Sequence, residues 1–475
     1  MGKLLSPAER LAFGRRQRKQ MPRVDHAKWD AKQRKQDPLK LMDASMRGRV
    51  PSLVTLKYER MAASPFGFFR GAVPVMAYDF SLLGNTGLAC QLCGDAHVRN
   101  LGAFAAPDGR LVFDINDFDE TIAGPFEWDV KRMATSLVLA GREAGSKDLQ
   151  CFAAARVFLE CYRTSMLEFA RMPVLEMARY QVHRLQGAAT VEGVLRLAER
   201  ATPLHTLETL TEPRESGPAA QHGQKTVAAR KAKAAKAAKN EAAGKERIFK
   251  SNPPVLTRLT GAMAEKVIAS LRPYLKSLLQ ERQRFLAQYR PLDVAFKVVG
   301  TGSVGLRDYC VYLEGNGARD PLFLQIKEEV ESGYAHYLKP VRKMHQGQRV
   351  VIGERAMQLQ SDPFLGWTTL EGREYLVRQL NDHKASIEVA ALRADGLMEY
   401  AEVCGELLAR GHSRLGACIE LAGYLGNSTR FDDAVVKFAE EYANQTEADW
   451  KRLVASMRKS NPKAAPVAAA RKRAS

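Results

Sequence analysis

A Lys/Ala-rich stretch near the middle of the chain most constrains how the chain can fold. The sequence QKTVAARKAKAAKAAKNEAAGKER, from Gln224 to Arg247, is of low complexity and has no apolar stripe that would dock it as a helix. It predicts a solvated linker or isolated helix, over residues 221–247, that splits the chain in two. At 475 residues the chain is long enough for two or three domains with well-buried cores.

The apolar patterns differ on the two sides of this linker. Helical periodicity dominates from Trp128 to about Arg200, whereas residues 88–118 predict short strands around a loop. After the linker, RPLDVAFKVVG, LRDYCVYLEG, PLFLQIKEE and REYLVRQLND predict strands, GQRVVIGERAMQLQ predicts a helix, and amphipathic helices return from Gly396. The sequence therefore predicts an α+β protein with a basic arm (1–40), a helical part (41–220), the linker (221–247), a β-rich part (248–385), C-terminal helices (386–457) and a basic tail (458–475).

The net charge of +19 is concentrated at a few places. Residues 1–40 carry 12 Lys/Arg against 4 Asp/Glu, residues 221–250 carry 9 against 2, and residues 458–475 carry 6 against none. The rest of the chain is close to neutral, so the charge does not predict a basic binding groove. Arms of this kind fit weak contact with a nucleic acid or an anionic surface, or simply solvated tails.

The distribution of apolar residues and cysteines indicates the compartment. No apolar run reaches the length of a membrane span, and the N-terminus has no apolar core of signal-peptide type, which predicts a cytoplasmic protein. The seven cysteines are scattered and odd in number, as expected for reduced thiols. Cys90 and Cys93 form a CxxC, but zinc would need a second such pair, so buried small side chains are the favoured interpretation.

Two polar segments of the first half carry candidate chemistry. In CGDAHVRNLG, Asp95 and Asn100 are five residues apart, and VFDINDFDE then brings Asp117 after a short strand. Phosphoryl transfer needs a carboxylate beside the attacking hydroxyl and oxygen ligands for Mg²⁺, which these side chains could supply. Asp114 and Asp119 are further candidate metal ligands, or only acidic neighbours. Taken singly, the segments could instead be a structural loop and an acidic surface turn.

The second half contains a GxGxxG at Gly300, Gly302 and Gly305. Dinucleotide-binding domains use the same spacing, but there the motif opens a helix. Here the aromatic and β-branched run LRDYCVYLEG follows, which predicts a strand, so a glycine loop between two strands is favoured. In the next predicted strand, PLFLQIK, alternation puts Lys327 on the face opposite Ile326.

The first-half motifs resemble a known superfamily. CGDAHVRNLG…DGRLVFDINDFDETIAGPFEWDV is similar to the HGDxHxxN…IDF…D pattern of aminoglycoside phosphotransferases and choline kinases, which share the protein-kinase fold. The resemblance implies that Asp95 is the catalytic base, that Asn100 and Asp117 are metal ligands, and that Asp129 is structural. Cys93 stands where the family has a histidine. More closely, SPFGFFRGA, GDAHVRNLGAF, NDFDET, GPFEWDVKR, GTGSVGLR, DPLFLQIKE and GYLG resemble the bacterial family called domain of unknown function 2252, over most of residues 40–450.

The same resemblance extends to the second half. It implies that Lys327 matches the AIK lysine facing the nucleotide, that Gly300, Gly302 and Gly305 let backbone amides approach the phosphates, and that REYLVRQL is the hinge strand. Glu354 is the candidate acidic partner of Lys327, with Glu331 second. Arg70 would contact phosphate or substrate, or only anchor a helix, and His412 is expected to be structural.

The order of the motifs is reversed relative to kinases, because residues 95–117 precede residues 300–327. We therefore expect a two-lobed, circularly permuted protein-kinase-like fold, with the linker carrying the permuted connection. The implied function is phosphotransfer from ATP with Mg²⁺ to an unknown hydroxyl acceptor. The alternatives are transfer of AMP from an inverted nucleotide, or an inactive nucleotide-binding scaffold that docks through its basic arms.

Overall fold

The computed structural model describes residues 5–182, 188–214, 246–298, 300–339, 343–380 and 383–460. Over these residues the chain is an α+β protein with antiparallel sheets, as predicted. The helices are α1 (Pro7–Gln20), α2 (Pro38–Ser45), α3 (Pro51–Ala62), α4 (Pro65–Gly71), α5 (Val73–Ser81), α6 (Phe126–Ala144), α7 (Asp148–Phe169), α8 (Val174–Arg179), α9 (Ala189–Arg200), α10 (Pro203–Leu210), α11 (Ala262–Ala269), α12 (Leu271–Leu275), α13 (Gln280–Leu286), α14 (Gln346–Met357), α15 (Asp395–His412), α16 (Cys418–Leu425) and α17 (Arg430–Ser460). Among these described residues, no helix is long and apolar enough to cross a membrane.

The strands form one large sheet and three small ones. They are β1 (Ala89–Leu92), β2 (Leu101–Ala105), β3 (Leu111–Ile115), β4 (Ile122–Pro125), β5 (Thr211–Pro213), β6 (Arg247–Phe249), β7 (Leu256–Leu259), β8 (Arg290–Lys297), β9 (Asp308–Glu314), β10 (Pro321–Glu328), β11 (Gly366–Leu370), β12 (Arg373–Gln379) and β13 (Ala385–Ser386). The large sheet has the order β11-β12-β10-β9-β8-β7, and the small sheets pair β1 with β4, β13 with β2 and β3, and β5 with β6.

Helices α6, α7, α15 and α17 pack together as the helical body around the largest apolar core. The central helix α6 is buried over nearly its whole length. It begins after Pro125 with Glu127 and Asp129 in its first turn, where a carboxylate is favoured by the helix dipole. It ends at Gly145, whose φ of +90° lets its amide donate back to the carbonyl of Arg142. Two residues of this helix, Asp129 and Arg132, form hydrogen bonds with residues 93–95.

Strand β10 shows the alternation that the sequence predicted. Leu324 and Ile326 are fully buried in the core on one face of the large sheet. Gln325 and Lys327 point to the other face and line a cavity. Lys327 pairs in register with Asp308 of β9 and Leu376 of β12, so three strands fix the position of its backbone.

The first 40 residues are not the solvated arm that their charge suggested. Over its described part the segment packs on the body, with α1 lying against α16. Gly14 is buried so tightly that an added Cβ would lie 1.9 Å from the Glu420 carbonyl oxygen. Arg10 forms an ion pair with Glu420, and Arg18 donates to the Tyr424 carbonyl oxygen at the end of α16. Two of the basic residues of this segment, Arg10 and Arg18, therefore help to hold α1 in place.

The linker prediction falls mostly outside the described residues, since 215–245 are not described, but its two ends are. Pro213 of β5 pairs with Arg247 of β6, and the Arg214 amide donates to the Glu246 carbonyl oxygen. The two described ends of the stretch therefore lie side by side. Helix α10, which precedes the stretch, contacts β10 of the large sheet. The prediction that the Lys/Ala stretch carries the permuted connection falls on residues outside the described part of the chain. Of the basic tail, 458–460 still belong to α17, and 461–475 lie outside the described residues.

Candidate functional site

The loop over residues 93–100 joins β1 to β2 and is held from the helical body. The Asp129 carboxylate, on α6, accepts hydrogen bonds from the amides of Cys93 (2.8 Å) and Gly94 (3.0 Å). His412 Nε2 lies 3.3 Å from Asp129 Oδ2, and His412 is fully buried. Gly94 has a φ of +83°, and an added Cβ would lie 2.1 Å from the Glu120 carbonyl oxygen. The loop is thus packed directly against the acidic segment, residues 114–120.

Asp95 projects from this loop into a cavity. Arg132 of α6, which is fully buried, donates from Nε to Asp95 Oδ1 at 2.7 Å. The other oxygen, Oδ2, lies 3.6 Å from His97 Nε2. Asn100 Nδ2 donates to the Asp95 main-chain oxygen at 2.7 Å, which ties the two predicted site residues together. Burial raises the pKa of Asp95 above its ordinary value, although Arg132 opposes the shift.

Lys327 joins the large sheet to the acidic segment. Its Nζ lies 2.6 Å from Asp119 Oδ1 and 3.6 Å from Asp117 Oδ1. Burial alone would lower the pKa of Lys327, but Asp117 and Asp119 outweigh it and the pKa is raised. The pKa of Asp119 is lowered, because Lys327 outweighs the effect of burial. Asp117 differs: burial and the neighbouring Asp119 raise its pKa. The acidic partner of Lys327 is therefore Asp119, not the predicted Glu354.

The segment over residues 300–305 forms another wall of the cavity. Gly300 and Gly302 line it, and Ser303 Oγ donates to Asp119 Oδ2 at 2.9 Å. Gly305 is not among the lining residues: it has a φ of +90° and packs against the Arg49 side chain, so its role is to turn the chain into β9. The segment lies between strands β8 and β9, as predicted, and does not open a helix.

Several charged residues that the sequence singled out lie elsewhere. Glu354, on α14, lines a second, smaller cavity with Arg378 and Lys384, and burial raises its pKa to about 7. Asp114 is buried in an ion pair with Arg410 at 2.5 Å and does not line the main cavity. Glu331 is exposed. Of these three acids, only Glu354 lies near the main cavity, because its neighbour Arg378 lines both cavities.

Three cations of the main cavity come from the N-terminal helical segment. Arg49 precedes α3, Lys57 lies within α3 and Arg70 within α4. Lys57 Nζ donates to the Gly302 carbonyl oxygen at 2.6 Å, and Arg49 Nη1 donates to the Val304 carbonyl oxygen at 2.6 Å. Sequence reasoning considered Arg70 but missed Arg49 and Lys57, because a single cation within or beside a helix carries no motif. Their contacts fasten the glycine segment to the helices.

The cavity is small and strongly polar. Its volume is about 170 Å³, below the ~300–1,000 Å³ typical of pockets that enclose a whole organic ligand. It therefore has room for a small charged group or an ion, but not for a whole organic ligand. The cavity is lined by six residues that were predicted from separate stretches of the chain: Asp95, Asn100, Asp117, Gly300, Gly302 and Lys327.

The donor set for Mg²⁺ is partial. Within the described residues, no group of three or more His, Cys, Asp and Glu side chains is arranged to hold a metal ion. Asp117 Oδ1, however, is a buried oxygen without a hydrogen-bond partner there. Carboxylate and amide oxygens suit a hard cation that keeps several of its waters, so Asp117 and Asn100 fit Mg²⁺ shared with a phosphate better than a closed protein cage.

The fold and cavity define an α+β protein whose large antiparallel sheet and helical body share a small, charged cavity. The chain belongs to the bacterial family described as "Uncharacterized protein conserved in bacteria (DUF2252)", whose profile matches residues 49–456. No curated protein and no solved structure matches the chain significantly. The match begins at Arg49, so it includes every cavity residue named above, whereas α1 and α2 precede it.

Proposed function

We propose that this protein is a kinase-like phosphotransferase that uses Mg-ATP on a hydroxyl acceptor. The observation that carries the proposal is the meeting of Lys327 with the acidic segment. A lysine from one half of the chain lies 3.6 Å from Asp117 of the other half, in the same cavity as Asp95. Charge stabilisation and positioning are the main demands of phosphoryl transfer, and this cavity supplies groups for both.

Asp95 is the proton acceptor in this proposal. Arg132 holds its Oδ1, which orients the carboxylate, and Oδ2 lies 3.6 Å from His97 Nε2. The acceptor hydroxyl oxygen forms a bond to the γ-phosphorus as the bond from phosphorus to the ADP oxygen breaks, and the hydroxyl proton passes to Asp95. ADP and the phosphorylated acceptor are the products.

Lys327 and the glycine segment bind the phosphates. Lys327 Nζ supplies positive charge beside them, held in place by Asp119. Gly300 and Gly302 have no side chain to keep phosphate oxygens away from the backbone. Asn100 and Asp117 would hold Mg²⁺, which when bound neutralises charge on the phosphate oxygens.

The proposed architecture is a circularly permuted, two-lobed kinase-like fold. The large sheet with the glycine segment and Lys327 would be the small lobe, and the helical body with the loop over 93–100 the large lobe. Strand β12 would be the hinge strand, which is supported by its continuation into β13, a strand that pairs with β2 beside the loop. In this proposal the two lobes follow each other along the chain in the reverse of the order found in an ordinary kinase.

The test is transfer of radiolabel by the full chain with Mg²⁺ and a pool of hydroxyl metabolites. Label from γ-labelled ATP should reach an acceptor, and Asp95→Asn or chelation of Mg²⁺ should reduce transfer at least about 100-fold. Asp108→Asn is the matched control, because Asp108 is exposed and pairs with the exposed Arg110.

The same experiment separates the alternatives. Movement of α-label instead of γ-label would indicate AMP transfer. ATP binding without transfer of either label would indicate a nucleotide-binding scaffold. Binding is read independently from the unfolding midpoint, since a ligand at 100 times its Kd stabilises the fold by about 2.7 kcal/mol. Absence of both binding and transfer would refute the proposal.

A further inference from the structure

Arg49, Lys57 and Arg70 line the same cavity as Lys327 but come from its helical side. Lys57 is buried, and Arg49 and Arg70 are half-buried. Arg70 Nη2 lies 3.9 Å from the position that a Cβ on Gly300 would occupy. The three cations therefore lie around the glycine segment on the helical side of the cavity, whereas Lys327 comes from the large sheet.

These cations lack acidic partners among the described residues. Lys57 donates to the Gly302 carbonyl oxygen, and Arg49 donates to the carbonyl oxygens of Ser45 and Val304. Arg70 Nε is buried without a hydrogen-bond partner in the described part of the chain. Hydrogen bonds to neutral carbonyl oxygens do not cancel a buried charge. On this side of the cavity the cations therefore have no ion-pair partner in the described part of the chain.

Four of the five acids that line the cavity, all except Asp117, are engaged or favoured in the neutral form. Asp119 binds Lys327, and Asp95 binds Arg132. Glu120 accepts a hydrogen bond from the Gly333 amide. Burial raises the pKa of Glu329 well above its ordinary value, which favours its neutral form. Asp117 has an oxygen without a hydrogen-bond partner among the described residues, but burial and Asp119 raise its pKa. Within the described part of the chain, no acid that lines the cavity therefore forms an ion pair with the three cations.

Desolvation acts on all three cations in the same direction. Burial lowers the pKa of Arg49, of Lys57 and of Arg70, and the neighbouring Arg49 lowers that of Lys57 further. Nearby acids, among them Glu120 and Asp95, oppose these shifts but do not outweigh burial. Clustered, desolvated cations without an ion-pair partner are costly in a folded protein unless a bound anion compensates them. Arginine adds a planar fork of donors that matches phosphate oxygens.

We infer that Arg49, Lys57 and Arg70 form a binding site for a phosphate group, separate from the phosphate contact of Lys327. The inference rests on the proposed function only for the source of that phosphate. One source is the terminal phosphate of the nucleotide itself. The other is a phosphate already present on the acceptor, which would make the acceptor a phosphorylated alcohol.

The test uses inorganic tripolyphosphate as the probe, titrated into the full chain at fixed ionic strength and without nucleotide. We expect Arg70→Met and Lys57→Met each to weaken tripolyphosphate binding at least tenfold. Arg110→Met, which removes an exposed arginine paired with Asp108, is the matched control and should bind like the wild type. The unfolding midpoint of the free Arg70→Met variant should not fall, because an uncompensated charge has been removed.

Two results would overturn the inference. One is wild-type affinity in both cavity variants, or failure of the wild type to bind tripolyphosphate. The other is an equal loss in Arg110→Met, which would mean attraction to overall charge. If tripolyphosphate binds through these cations but ATP does not bind at all, the phosphate site stands and the proposed function fails.

A comparison of ligands identifies the source. If the site holds the terminal phosphate of the nucleotide, Arg70→Met lowers the affinity for ATP at least tenfold and leaves that for AMP unchanged. If it holds a phosphate of the acceptor, ATP affinity is unchanged, and the variant instead loses binding of inorganic phosphate to the ATP-saturated protein.

Discussion

Lys327 Nζ lies 2.6 Å from Asp119 Oδ1, although the two residues are 208 positions apart in the chain. This contact joins the large sheet to the acidic segment, and it also sets the charge of the cavity. With Lys327 present, Asp119 is ionised and Asp117 remains the carboxylate whose Oδ1 has no hydrogen-bond partner among the described residues. A single side chain therefore determines which of the two acids is left for a ligand.

Replacing Lys327 tests this relationship. In Lys327→Met, Asp117 and Asp119 would face each other without their cation, so we expect phosphate binding and label transfer to fall by about 10²–10³-fold. Lys266→Met is the matched control, since Lys266 is exposed and pairs with Glu371. Isothermal titration with ATP and a transfer assay measure the effect, and normal binding in Lys327→Met would show that the pair with Asp119 is only structural.

The packing of Gly94 against Glu120 predicts a large stability effect. Gly94→Ala would combine a φ of +83° with a Cβ 2.1 Å from a main-chain oxygen, so we expect a loss of at least about 3 kcal/mol. Gly109 has a nearly identical φ of +81° but open space around it, so Gly109→Ala should cost only about 1–2 kcal/mol. Denaturant unfolding measures both. Equal losses would mean that contact between the two segments does not matter.

The contact between α1 and α16 predicts a second pair of variants. In Gly14→Ala the new Cβ would lie 1.9 Å from the Glu420 carbonyl oxygen, so α1 should detach and become sensitive to limited proteolysis. Gly193 lies in α9 with nothing within 4 Å of an added Cβ, and Gly193→Ala should stabilise the fold by roughly 0.5–1 kcal/mol. If α1 of Gly14→Ala resists the protease as the wild type does, Gly14 does not pack tightly against Glu420.

Asp308 predicts a pH dependence of stability. Burial raises its pKa to about 6, against the opposing effect of Lys297, Lys327 and Arg378. Because the folded state then binds the proton more tightly than the unfolded state, stability should fall as the pH rises from about 4 to 6 and level off above. Asp308→Asn should remove this fall, which amounts to about 2–3 kcal/mol. If the free energies of unfolding of wild type and variant change in parallel between about pH 4 and 6, the prediction is wrong.

Several strands and several cavity-lining residues were predictable because they leave local patterns. Alternation in β10 placed Lys327 on the polar face, and turn residues marked the loop with Asp95 and Asn100. The acidic partner of Lys327 was not predictable, because the sequence does not distinguish Glu354 from Asp119 as a partner. Only the packing of the folded chain determines which of them contacts Lys327. The pairing of Asp114 with Arg410 depends in the same way on distant chain segments.

Two other features left no pattern to read. Lys57 looks like any helical lysine, and only the position of the glycine segment makes it part of a cavity. Helix α1 docks through Gly14 and through arginines that bind main-chain oxygens, not through an apolar stripe. A prediction based on hydrophobic periodicity therefore treats such a helix as a free arm.

The pairing of β5 with β6 has a consequence for how this chain can vary. Hydrogen bonds join Arg214 to Glu246, and Pro213 pairs with Arg247, so the two chain ends that flank residues 215–245 are fixed side by side. When the ends of a segment are already held together, a change in its length adds little closure entropy. We therefore expect an affinity tag inserted between these ends to leave the register of β5 and β6 unaltered.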